Sequence, residues 1–150
     1  MENGSFDEWN CCPTGWDIAD NVGIETGNVH TLPRAVALGV PPNKDDSARL
    51  GQTIKDTDPD CCYVLDFFVT GSSNKPVKAQ VLFNQTVEVE VLIPQNTQPQ
   101  YLYYREFVGC PQGADVSVLF IKEGNGTIFI DDVGLRAAGP CDVDDLKSCP

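Results

Sequence analysis

The stretch Thr86-Val87-Glu88-Val89-Glu90-Val91-Leu92-Ile93 sets Val87, Val89, Val91 and Ile93 against Thr86, Glu88 and Glu90. Successive side chains of an extended chain point to opposite faces, so this period of two places the aliphatic groups on one side and the polar groups on the other. A strand with one face on a core and one in water is the expected result. Working outward, the same alternation runs through Val77, Ala79, Val81 and Phe83, through Tyr63, Leu65, Phe67 and Val69, and through Val116, Val118 and Phe120, while residues 128–135 form a further apolar run. Adding 47–54 and 101–108 gives about seven strands, with weaker candidates at 16–22 and 34–38. Pro and Gly clusters separate these runs, and no long amphipathic helix interrupts them. The pattern predicts an all-β protein, a two-sheet antiparallel β-sandwich over residues 1–138. A short Cys-containing C-terminal tail follows at 139–150, where only 143–148 has any helical character.

At 150 residues the chain is long enough to bury about two-thirds of its unfolded surface in a single core. Hydrophobic residues at 41% and charged residues at 21% argue against both disorder and membrane insertion, and no apolar run approaches the roughly 20 residues of a spanning helix. Ten basic against 22 acidic residues give a formal charge of −12, which repels phosphate backbones and argues against a nucleic-acid partner. Calcium is compatible with that charge.

Seven cysteines, Cys11, Cys12, Cys61, Cys62, Cys110, Cys141 and Cys149, suggest an oxidising destination, extracellular or at a cell surface. Met1 is followed by Glu-Asn-Gly-Ser, with neither a basic nor an apolar leader segment. Either a leader has been removed or the protein reaches the outside by another route, such as release when a mother cell lyses. In the doublets Cys11-Cys12 and Cys61-Cys62, adjacent residues point to opposite faces, so each doublet can face two partners. Because seven is odd, intrachain pairing alone leaves a thiol over. A stapled monomer with a free thiol and a homo-oligomer or homopolymer cross-linked through its terminal segments are both open. Zinc is disfavoured, since there is no Cys-x-x-Cys pair and His30 is the sole histidine.

Asn3-Gly4-Ser5-Phe6-Asp7-Glu8-Trp9 opens the chain, followed by Gly15-Trp16-Asp17-Ile18, and Ile128-Phe129-Ile130-Asp131-Asp132-Val133-Gly134-Leu135 closes it. Between them lie Ala48-Arg49-Leu50-Gly51-Gln52-Thr53-Ile54, Tyr63-Val64-Leu65-Asp66-Phe67 and Tyr104-Arg105-Glu106-Phe107. In that order and spacing these motifs resemble the galactose-binding-like jelly roll of family 4/9/22-type carbohydrate-binding modules and the related jelly-roll domains of Firmicute spore-surface proteins. The resemblance implies that the opening turn and the closing strand meet. It further implies a structural calcium there, with hard oxygen ligands from Asp131 or Asp132 and from Asp7 or Glu8.

Asp56-Thr57-Asp58-Pro59-Asp60 has alternating carboxylates but lacks the glycine and distal Glu of a calcium loop, and it reads as an acidic turn. A glycan would need exposed aromatic faces, for which Tyr63, Phe68, Tyr103 and Tyr104 are the candidates, Trp9 and Trp16 being assigned to the core. Catalytic residues are not indicated: His30 stands alone, without a nucleophile, metal or phosphate-loop motif. The sequons Asn3-Gly4-Ser5, Asn84-Gln85-Thr86 and Asn125-Gly126-Thr127 matter only on a eukaryotic secretory route. The function these residues favour is a non-enzymatic structural subunit of an extracellular or spore-surface layer or fibre, cross-linked by disulfides. The alternative is a carbohydrate-binding module.

Overall fold

A computed structural model describes residues 1–10, 12–55, 57–94 and 100–138. The strands are β1 (Trp9–Asn10), β2 (Cys12–Pro13), β3 (Ile18–Asp20), β4 (Val22–Glu25), β5 (Ala35–Leu38), β6 (Ala48–Ile54), β7 (Cys62–Gly71), β8 (Val77–Phe83), β9 (Thr86–Ile93), β10 (Leu102–Gly109), β11 (Val116–Lys122) and β12 (Ile128–Ala138). Apart from the small β1–β2 ribbon they form two five-stranded sheets, ordered β10-β7-β12-β5-β4 and β3-β6-β11-β8-β9. Every pairing is antiparallel. The expected two-sheet jelly-roll sandwich is the observed architecture. Cys11, Asp56, Cys141, Cys149 and the tail at 139–150 lie outside the described residues.

Inward positions of both sheets form one core. Leu65, Phe67 and Val69 of β7 face Val118 and Phe120 of β11, and the Phe67 and Phe120 rings meet edge-on at 5.1 Å between centroids. Phe6 and Trp16 pack together at 5.1 Å and close one end, so the opening aromatic motif does belong to the core, with Trp9 partly buried against it.

Alternation fails at one informative place. In β9, Val89 pairs with Val81, but Val87 pairs with Leu82, so Glu88 is an extra residue and the register shifts. A bulge of this kind turns the following side chain to the other face. Val87, expected on the core side, is 46% exposed, whereas Ile93 at the far end is 3% exposed.

The chain ends join as the resemblance implied: Val133 N–H donates to Gly4 O at 2.9 Å. Asn3 braces the opening turn, its Nδ2 donating to Glu8 O and Thr14 O while its Oδ1 accepts from Glu8 N. Across the first sheet, Cys62 is bonded to Cys110, which ties the start of β7 to the end of β10. Cys61 is also disulfide-bonded, so the two members of this doublet do serve different partners. Asp58 O accepts from Cys61 N and Asp58 Oδ1 from Asp60 N, so the described part of the acidic segment is a turn.

Candidate functional site

The two sheets differ in what they show to solvent. On β10, Tyr104 stacks on the core ring of Phe67 at 5.4 Å and Val108 is buried. The odd-numbered neighbours therefore point away from the core, and Tyr103 and Phe107 are 50% and 59% exposed. Tyr103 sits opposite Phe68 of β7, with ring centroids 4.9 Å apart. The segment 26–34 crosses this outer face and lays His30 flat on Phe68, at 3.6 Å and an interplanar angle of 16°. Tyr101 meets the His30 ring edge-on at 5.7 Å and donates its hydroxyl to Asn28 O at 2.7 Å, which pins the same segment. Four rings thus form one contiguous cluster, with His30 and Tyr103 its exposed members and Phe68 half-buried beneath His30.

The β12 bulge supplies the acids beneath that segment. Register shifts between Asp131 and Gly134, and Asp132 adopts φ 50°, a left-handed conformation that Asp tolerates better than most residues. Asp131 is fully buried and accepts from Thr31 N at 2.9 Å and from Asp132 N at 2.8 Å. Burial is the main reason its carboxyl is raised to about 6; the Asp132 charge adds to the rise and the backbone N–H bonds oppose it. Asp132 Oδ2 accepts from His30 Nδ1 at 2.6 Å and from Thr31 Oγ1 at 2.5 Å. The imidazole is thereby fixed in orientation against Phe68.

One strand over, Asp66 of β7 is 6% exposed, and its Oδ2 accepts from Tyr103 OH at 3.0 Å and from Arg136 Nε at 2.8 Å. Its Oδ1 is buried without a hydrogen-bond partner among the described residues. Desolvation, then the bond to Asp66, raises the Tyr103 phenol, which keeps it a donor. The outer face of the second sheet is different. A polar concavity of about 410 Å³ there is lined by Asp17, Thr53, Lys55, Asn84, Gln85, Asp115 and Ser117, none of them aromatic.

Of the aromatic candidates from sequence, the structure brings Phe68 and Tyr103 together on the outer face. Tyr63 is 2% exposed and Tyr104 lies against the core, because each is one residue out of phase with the outward set. Sequence reasoning missed His30, Tyr101, Asp66 and Arg136. The parity of Phe67-Phe68 and Tyr103-Tyr104 was a usable signal, since one member of each pair must face out. The crossing of segment 26–34 over the sheet left no signal.

The four carboxylates considered for calcium do not converge as one side-chain set. Asp131 and Asp132 are occupied as described, Asp7 Oδ2 accepts from Ser5 Oγ, and Glu8 is exposed. Among the described residues no group of three or more His, Cys, Asp or Glu side chains is placed to hold a metal. A calcium ion at this junction would need backbone oxygens as further ligands, and it stands as a proposal.

No protein-family model matches the chain, and no curated protein matches its sequence. Solved structures do match its fold. A family 61 carbohydrate-binding module in complex with β-1,4-galactotriose superposes with a TM-score of 0.69 at 18% identity, over 92% of this chain and 97% of that one. A family 4 carbohydrate-binding module gives 0.56 at 19% identity, over 92% and 99%. The enzymatically active domain of bacteriophage CBA120 tailspike protein 4 gives 0.69 at 21% identity, over 92% of this chain but 21% of that one. At such identities the likeness establishes the two-sheet jelly-roll fold and leaves the ligand to the site.

Proposed function

We propose that this chain is a carbohydrate-binding module, non-catalytic in itself, whose glycan lies across the outer face of β10, β7 and β12. The observation that carries the reading is the four-ring cluster of His30, Phe68, Tyr101 and Tyr103 on one outer face, against a concavity on the other sheet whose lining holds no aromatic side chain among the described residues. Sugar rings present C–H faces that pack on aromatic π-surfaces, while a few fixed polar groups nearby set orientation. The fold neighbours support this reading over a structural subunit, and the one described disulfide pair, Cys62–Cys110, is intrachain and builds no assembly. Disulfides in a small acidic sandwich support an extracellular or cell-surface setting.

The test is a panel of immobilised polysaccharides and oligosaccharides probed with the chain and with Phe68→Ala and Tyr103→Ala. Binding that falls about tenfold or more in either variant, as expected for a buried aromatic anchor, supports the reading. Binding to no member of the panel removes it.

A further inference from the structure

Three groups outside the aromatic surface bear on what kind of sugar it takes. Arg136 of β12 lies over Gly134, where an added Cβ would come within 2.9 Å of Nη2 and within 2.5 Å of Asp66 Oδ1. Only glycine leaves room at this position for the guanidinium beside the aspartate. Among the described residues its hydrogen bonding runs through Nε to Asp66 Oδ2, and the side chain is 67% exposed. The guanidinium is held by the protein through Nε, with Nη2 close over Gly134, while most of the side chain is open to solvent.

Arg105 of β10 stands directly opposite Asp66 in the sheet register, is exposed, and points outward like Tyr103 and Phe107. Arg105 and Arg136 both stand close enough to Tyr103 to act on its hydroxyl, while Asp66 and Asp132 lie beside Arg136, so this end of the platform sets two guanidinium groups among acids on a chain whose formal charge is −12. A guanidinium fork held in place before ligand arrives matches a planar two-oxygen anion better than it matches a hydroxyl. Its rigidity also lowers the entropic cost of binding.

We infer that the glycan bound on this face is a uronate-containing, anionic polysaccharide, with a sugar ring against the exposed rings of His30 and Tyr103 and a ring carboxylate received by Arg136 and Arg105. This rests on the carbohydrate-binding reading and adds the ligand class to it. Asp66 is a positioning residue here: it touches no ligand and fixes Arg136 and the Tyr103 hydroxyl at once.

The experiment uses the full chain against polygalacturonate and alginate, with neutral galactan, β-glucan and xylan in parallel, at low and high salt. Uronate polymers should be retained preferentially, with retention weakened as salt screens the contact. Arg136→Ala and Arg105→Ala should each weaken uronate binding by about tenfold, and Arg136→Lys should fail to restore it because the fork is lost. Lys78→Ala, on the outer face of the second sheet, should change nothing, which separates a site from general charge attraction. Arg136→Ala removes the partner of a buried carboxylate, so if that variant does not fold, the exposed Arg105→Ala decides. Equal or exclusive binding of neutral polymers, or uronate binding indifferent to both arginines, overturns the inference and leaves the carbohydrate-binding reading intact. No binding to any polymer ends both.

Discussion

Replacing Lys122 by Met probes how the sandwich holds its loops. Lys122 is the last residue of β11 and continues the inward series Val116, Val118 and Phe120, so its period sends an amine into the end of the core, where it has no exposed surface. Its Nζ donates to Lys44 O at 3.0 Å, Asp46 O at 2.7 Å and Gly124 O at 2.6 Å, which uses all three N–H groups. Gly39, at φ 86°, leaves room for the stem; a Cβ there would come within 2.5 Å of Lys122 Cε. Burial lowers the lysine pKa, and Asp45 and Asp46 oppose that shift. Met keeps most of the volume and supplies no donor. Three charge-assisted bonds at about 1.5–3 kcal/mol each are lost. Relief of the ammonium's desolvation returns several kcal/mol, and the net loss expected from these opposing terms is about 2–4 kcal/mol. At about 2–4 °C per kcal/mol for a domain of this size, the melting temperature should fall by roughly 5–15 °C. Urea denaturation with unchanged slope would give the same loss independently. An unchanged or raised midpoint would refute the claim that this ammonium clamps the segments around 44–46 and 124.

Further expectations concern the same molecule. In chelator, the raised Asp131 carboxyl binds its proton more tightly in the folded state, so its contribution is present below pH 3.8 and lost as pH rises through about 6. Asp131→Asn should remove that component from stability measured between pH 4 and 6, and an identical slope in both proteins would contradict the assignment. The calcium proposal at Asp7, Glu8, Asp131 and Asp132 expects added calcium to raise the melting temperature, by mass action on the folded state; superimposable curves with chelator and with calcium dismiss it. Cys62→Ser with Cys110→Ser opens a loop closed over a sequence separation of 48 and should cost about 4 kcal/mol by the chain-entropy estimate, read as a lower denaturant midpoint. Non-reducing electrophoresis should show a single band at 16.3 kDa, and a ladder that collapses on reduction would restore the cross-linked assembly.

The strands were legible because period-two alternation is a local property of the chain. The apolar runs at 77–83 and 86–93 coincide with β8 and β9. What alternation cannot report is where it slips: the extra Glu88 turned Val87 outward through a pairing with β8 that the β9 sequence does not encode. The site was half legible for the same reason. Parity separates Phe68 from Phe67 and Tyr103 from Tyr104, but which parity faces the core depends on the partner sheet. His30 lies 38 residues before Phe68 and reaches it only because segment 26–34 crosses the sheet and is tethered by Asp131, Asp132 and Tyr101. Asp66 read as an ordinary strand residue, since neither its burial nor its bond to Arg136, 70 positions later, leaves a trace in local pattern.

The most direct measurement is amide chemical-shift mapping of the isotopically labelled chain titrated with the oligosaccharide that binds it best. Shifts concentrated at residues 28–31, 64–70, 101–107 and 129–136 are the expected result. Saturable binding with shifts confined to the second sheet, around Thr53, Asn84 and Ser117, would contradict the placement of the glycan on the aromatic face.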